Sequence, residues 1–236
     1  MSIVVSCEHG GNLVPDAYRD AFASCPPGLL ESHRGWDPGA AEAARAIAER
    51  LGARLFVAEH TRLLVDLNRS ESHPRLFSEY TRTLPRDERM RILAEYYRPY
   101  RDAVEREILD AAARGGRVLH VSSHSFVPVL HGVQRRAQAA LLYDPRRPGE
   151  AAFAAAWRTA LRELAPREWV IRRNYPYRGS ADGFTTHLRR RLGDDAYVGV
   201  ELEINQELVG GAGWAGHVRV LADALSAALP RWKKGG

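Results

Sequence analysis

The sequence predicts an α/β fold of three layers, a mostly parallel or mixed central sheet with helices on both faces. Two observations carry that expectation. Short apolar, β-branched runs alternate with longer stretches of helical periodicity, the pattern of a sheet covered on both sides. Two of the runs, 3–6 and 118–122, empty directly into reactive clusters, Cys7-Glu8-His9-Gly10-Gly11-Asn12 and Ser123-His124-Ser125-Phe126. In an open α/β sheet ligands bind beyond the carboxyl ends of the strands, so histidines delivered there by two strands point to one polar site.

The elements follow in order along the chain. The run 3–6 is the first strand, and residues 38–51 form a helix because Ala40, Ala41, Ala44, Ile47, Ala48 and Leu51 recur at helical spacing. Residues 55–58 and 63–66 read as strands joined by a short polar turn. A long helix over 88–113 is interrupted at Pro99, whose ring removes a backbone donor and crowds the preceding turn. Gly115-Gly116 ends it. Strands at 118–122 and 139–143, a helix at 150–164, a strand at 170–173, a helix around 185–192, a strand at 197–204 and a closing helix at 216–229 complete the chain. The 236 residues contain no repeat and no low-complexity linker, and a length of this order suits one domain spanning 1–236.

Composition narrows the function classes. Two cysteines, Cys7 and Cys25, are too few for a disulfide framework and form no CxxC pair, which suits a reducing, cytoplasmic setting. The chain opens straight into a strand, and no apolar run approaches the ~18 residues of a membrane span. A net charge of +5 is spread over arginines interleaved with acids, which argues against a nucleic-acid face. It suits a field that steers a small anionic substrate. The expectation is a monomer or small homo-oligomer with neither nucleic acid nor membrane as partner.

Four places carry chemistry. His9 and His124, at strand ends, are candidate metal ligands, and imidazole with a carboxylate is the usual donor set of a catalytic zinc. The third ligand is Asp37, in the loop His33-Arg34-Gly35-Trp36-Asp37-Pro38-Gly39, with Glu8 as competitor. Asp37 also has the position of an ordinary helix N-cap. Asn68 and Arg69 end the apolar run Leu64-Val65-Asp66-Leu67 with an amide donor and a planar guanidinium fork, suited to gripping a substrate carboxylate. Glu201 and Glu203 lie two apart in an apolar strand and so share a face. Burying them demands a cation or a reaction, and either is placed to act as general base. The segment Asp182-Gly183-Phe184-Thr185-Thr186 reads as a lid or as a turn capping a helix. His60, His73, His131, His187 and His217 lie in polar or amphipathic surroundings and are set aside; Trp157, Trp169 and Trp214 read as core.

Glu8-His9-Gly10-Gly11-Asn12, Trp36-Asp37, Asp66-Leu67-Asn68-Arg69, Ser123-His124-Ser125, Asn174-Tyr175-Pro176-Tyr177-Arg178-Gly179 and Glu203-Ile204-Asn205-Gln206 together resemble the N-formylglutamate amidohydrolase family over nearly the whole chain. That family is in turn similar to zinc carboxypeptidases and aspartoacylase-type deacylases. The resemblance implies a phosphorylase/hydrolase-like fold, with His9 and His124 as zinc ligands and Asn68 and Arg69 on a substrate carboxylate. It also implies Glu203 as catalytic acid/base, since Glu-Ile-Asn is the matching triplet, and Arg178 as a further anion contact. The sequence departs from the carboxypeptidase His-x-x-Glu motif at Asn12, which leaves Asp37 to inherit the acidic ligand's place by position. The expected activity is zinc-dependent hydrolysis of the N-acyl amide of a small carboxylate-bearing substrate. The alternative is a non-catalytic anion-binding protein on the same fold.

Overall fold

A computed structural model describes residues 1–234. Its strands are β1 (Ser2–Cys7), β2 (Arg54–Val57), β3 (Val118–Phe126), β4 (Val129–Leu130), β5 (Val133–Gln134), β6 (Ala139–Leu142), β7 (Ile171–Arg173) and β8 (Tyr197–Asn205). β4 and β5 pair as a small separate hairpin. The others form one sheet in the order β2-β1-β3-β8-β6-β7. β2, β1, β3 and β8 run parallel, whereas β6 is antiparallel to β8 and parallel to β7, so the sheet is mixed. The helices are α1 (Ala40–Leu51), α2 (Arg86–Ile92), α3 (Arg98–Ala113), α4 (Pro148–Leu164), α5 (Phe184–Arg189) and α6 (Trp214–Lys234).

The central strands sort their residues by alternation. Val5 and Cys7 of β1, Leu119 and Val121 of β3, and Val198, Val200, Leu202 and Ile204 of β8 join one core with α1, α4 and α6. Trp157 and Trp169 are buried in that core, and Trp214 packs against it. The other residues of these strands lie beneath α3 and α5. At one end they add Val4, Val118 and Tyr197 to an apolar cluster with Val104, Ile108, Phe184 and Leu188. Toward the carboxyl ends the same alternate positions hold Ser6, His120, Ser122, His124, Glu201 and Glu203, all buried. One face of the sheet therefore supplies packing, and the other carries a polar floor for a site.

Two expectations change. The run 63–66 is not a strand but a set of turns, in which Leu64 N–H donates to Thr61 O at 3.0 Å and Asp66 N–H to Leu76 O at 2.9 Å. Leu63, Leu64, Val65 and Leu67 are instead buried in a second cluster with Tyr18, Phe22, Ile92 and Tyr97, so their apolar character is satisfied without a ladder. The long helix is divided as predicted near Pro99, but by a π-helical turn at Leu93–Tyr97 that joins α2 to α3 and absorbs the missing proline donor. Among the described residues no helix is long and apolar enough to cross a membrane.

Candidate metal centre and active site

β1 ends at Cys7, which leaves Glu8 and His9 at the rim of the sheet, and Asp37 N–H donates to His9 O at 2.9 Å, drawing the 33–39 loop onto that rim. A Cβ on Gly11 would fall inside the backbone of Glu59, so this glycine permits the close passage of the 58–60 segment rather than the approach of a ligand. Helix α1 begins after Gly39, whose φ of 81° lies in the left-handed region, and no side chain caps it. The carboxylate of Asp37 is thereby free of the N-cap role and turns into the site.

His9, Asp37 and His124 meet there, each buried, with one donor atom from each lying within 4.8 Å of the others. Asp37 Oδ2 is 2.9 Å from His124 Nδ1 and 3.3 Å from His9 Nδ1, and the two imidazole centroids are 5.0 Å apart. The far nitrogen of each ring is backed by a carboxylate. His9 Nε2 lies 2.7 Å from Asp66 Oδ1; His124 Nε2 lies 2.9 Å from Ser122 Oγ and 3.1 Å from Glu8 Oε2, and the Ser122 hydroxyl donates to that same Glu8 oxygen at 2.6 Å. Glu8 thus stands behind His124, on the opposite edge of the ring from Asp37.

The electrostatics follow from this crowding. Burial works against every charge here, yet the imidazoles and Arg62 hold Asp37 and Asp66 well below the ordinary carboxylate range, and His124 with Ser122 does the same for Glu8. Hydrogen bonds that the imidazole donates to Asp37 and Glu8 overcome burial and raise His124 well above 6.5. Glu203, in register with His124 across β3 and β8, behaves oppositely. Burial pushes its carboxyl up to about 8; His124 opposes the shift, and Asp37 and Glu201 add to it. Its Oε2 is buried without a hydrogen-bond partner among the described residues. Glu201, on the same strand face, instead accepts the Thr185 hydroxyl at 2.5 Å.

Arg62 was not singled out by the sequence. Its guanidinium bridges Asp37 Oδ1 at 3.2 Å and Asp66 Oδ2 at 2.9 Å. The available signal was its place four residues before Asp66, in a loop whose alternation the strand assignment obscured. Asn68 and Arg69 reach the site but are engaged within the protein. Asn68 Nδ2 lies 3.3 Å from His124 Nε2 while its Oδ1 accepts Phe184 N–H at 2.7 Å, and Arg69 donates to Asp182 O at 2.9 Å. With Ser70 N–H on Asp182 Oδ2 at 3.1 Å, these bonds tie the start of α5 to the 66–70 loop. Arg178 is exposed, on the 174–180 loop. Beside Asp66 opens a groove of about 350 Å³ lined by Arg34, Arg62, Arg69, Arg75 and Arg82.

A sequence profile described as N-formylglutamate amidohydrolase matches residues 1–209. The chain belongs to the N-formylglutamate amidohydrolase family. As a member of that family it is an amidohydrolase acting on a small substrate. Among solved structures it is similar to the Atu2144 gene product of Agrobacterium tumefaciens, at 29% identity and a TM-score of 0.83 over 98% of this chain and 92% of that one. It shares its fold with an N-formylglutamate amidohydrolase from Ralstonia eutropha JMP134, at 22% identity and a TM-score of 0.79 over 99% of this chain and 94% of the other. No curated protein matches it.

Proposed function

We propose that this N-formylglutamate amidohydrolase family member is a zinc-dependent enzyme that cleaves the N-acyl, formyl-type amide of a small carboxylate-bearing substrate such as N-formylglutamate. The observation that carries the reading is the convergence of two imidazole Nδ1 atoms on Asp37 Oδ2, with the unpartnered carboxyl of Glu203 in register beside His124. The donor set fits zinc. Two nitrogens and one carboxylate, with the carboxylate oxygen 2.9 and 3.3 Å from the two nitrogens and all three donors within 4.8 Å, are the set that a catalytic site with an open position uses. Asp66 behind His9 and Glu8 behind His124 would fix the ring orientations and raise their basicity.

Held by His9, Asp37 and His124, zinc would supply Lewis acidity and a water of lowered pKa. Glu203 takes the proton of the attacking water as general base, then delivers it to the departing amine as the C–N bond breaks. A raised pKa suits a group that must both accept and give that proton near neutrality. Arg62, whose guanidinium bridges Asp37 and Asp66, is the arginine that stabilises negative charge developing on the amide oxygen. Asn68, Arg69 and Arg178 serve the substrate carboxylate, with the arginine-lined groove as its approach. The buried Cys7 and the free Cys25 suit a reducing cytoplasm.

The test is metal analysis combined with turnover. One zinc per chain, removed by chelator together with formate release from N-formylglutamate and restored with it, supports the reading; formyl, acetyl and succinyl derivatives of glutamate and aspartate then set the substrate range. A chain that takes up no divalent metal yet binds these carboxylates is an anion-binding protein instead.

A further inference from the structure

A second cavity, of about 290 Å³, is lined by residues 57–61, Val65, Leu67 and the 95–100 segment, and by none of His9, Asp37 and His124. Its apolar lining comes from Val57, Val65, Leu67 and Pro99, and the rings of His60, Tyr96 and Tyr100 line it as well. His60 meets Tyr96 edge to face at 4.9 Å, and the Tyr100 hydroxyl donates to Phe56 O at 3.3 Å, which fixes that ring. Tyr96 belongs to the π-helical turn at Leu93–Tyr97, a kind of local insertion that is frequent at functional sites.

The charge around this cavity is the reverse of the charge on the protein. The chain carries 34 lysines and arginines against 29 acids, yet among the described residues lining the cavity there is no lysine or arginine, and Glu59 and Glu95 stand there as exposed carboxylates. His60 adds no positive charge near neutrality, because burial lowers its pKa below 6.5. An aromatic and aliphatic pocket with two carboxylates and no competing cation selects a ligand with an apolar body and a protonated amine, through ring faces and Coulomb attraction together. We infer that this cavity is a second binding site, distinct from the metal centre, for a small organic cation carrying an aromatic or branched alkyl group.

The site is not idle in the fold. Val65 and Leu67, which line the cavity, flank Asp66, whose carboxylate holds His9 and Arg62. The cavity and the metal centre thus draw on one stretch of chain.

Isothermal titration of the full chain, with and without zinc, tests this with benzylammonium as probe, benzyl alcohol as its neutral counterpart and phenylacetate as its anionic one. The expected result is saturable binding of one benzylammonium per chain, about tenfold tighter than benzyl alcohol, with phenylacetate weaker still at this site. Glu59→Gln/Glu95→Gln, at two exposed positions that leave the core intact, abolishes the preference for the cation, and Tyr96→Leu weakens benzylammonium severalfold. The inference is overturned by equal affinity for the alcohol and the ammonium, by a preference that survives the double substitution, or by no saturable binding up to about 10 mM. Because the readout is heat of binding, it stands or falls independently of amide hydrolysis.

Discussion

Glu201 and Glu203 have the same side chain, the same strand and the same face, yet their surroundings separate them. The Thr185 hydroxyl occupies Glu201, whereas Glu203 has an oxygen with no hydrogen-bond partner among the described residues and a carboxyl pushed up to about 8 by burial. Under the proposed mechanism Glu203→Gln lowers kcat by about 10²–10⁴-fold with bound zinc unchanged, while Glu201→Gln leaves kcat within a few-fold; turnover assays run beside metal analysis decide it, and the reverse pattern moves the acid/base role to Glu201. Removing a carboxylate behind a ligand acts differently. Asp66→Asn frees one edge of His9 and lowers zinc affinity by about 10–100-fold, read by competition with a chromogenic chelator; an unchanged affinity removes Asp66 from the support of the site. The sequence pointed to His9, Asp37, His124 and Glu203 because each has a local signature: a strand end for the histidines, a loop dense in polar residues before a helix for Asp37, and an apolar run for Glu203. Arg62 lacked one, since what makes it part of the site is its contact with Asp37, 25 residues away.

Elements were legible where alternation or helical period was uninterrupted. β1, β3 and β8 sit where their apolar runs predict, and β3 continues to Phe126 because its polar residues fill the site-facing positions of the same pleat. The run at 63–66 misled because burial in a side cluster produces the same apolar composition as burial in a sheet. The helix start at Asp37-Pro38-Gly39 was ambiguous for a related reason: a carboxylate preceding a helix looks like a cap until its partners are known. Gly39 resolves it. At φ 81°, with the space of a Cβ already taken by Val209 and Trp214, the backbone turns so that Asp37 faces the imidazoles instead of α1. Gly39→Ala is expected to cost about 1–2 kcal/mol for the left-handed backbone alone, with the crowding added to it. It should lower the urea midpoint and weaken zinc binding together; a stability loss with zinc affinity intact would uncouple the loop from the site.

At the scale of the whole molecule, the parallel core was readable but the reversal at β6 was not, because strand direction depends on how the chain returns and not on the composition of the strand. What the assembled fold adds is a set of linked protons. In the metal-free protein Asp37, Asp66 and Glu8 have lowered pKa values, so they contribute stability above their ordinary 3.8–4.5 that is lost on acidification. His124 and Glu203 have raised values. His124 contributes stability that is complete below 6.5 and lost as pH climbs through its raised pKa, and Glu203 contributes stability complete below 4.5 and lost as pH climbs through about 8. From this site, then, metal-free stability is greatest near pH 4.5, declines from there as the Glu203 contribution fades, and declines more steeply above 6.5 as that of His124 fades with it. Zinc runs the other way, since its binding needs His124 Nδ1 free of a proton and is helped by an ionised Glu203 nearby. Apparent affinity therefore rises with pH through neutrality, and so does the stabilisation that binding confers, which reaches about 4 kcal/mol when free zinc is 1,000-fold above Kd. Thermal unfolding from pH 5.5 to 8.5, with chelator and with zinc buffered at a fixed free concentration, should show the two Tm curves diverging as pH increases. A gap that is constant, or widest at pH 5.5, would mean that the metal does not displace a proton from His124 and that the ligand assignment is wrong.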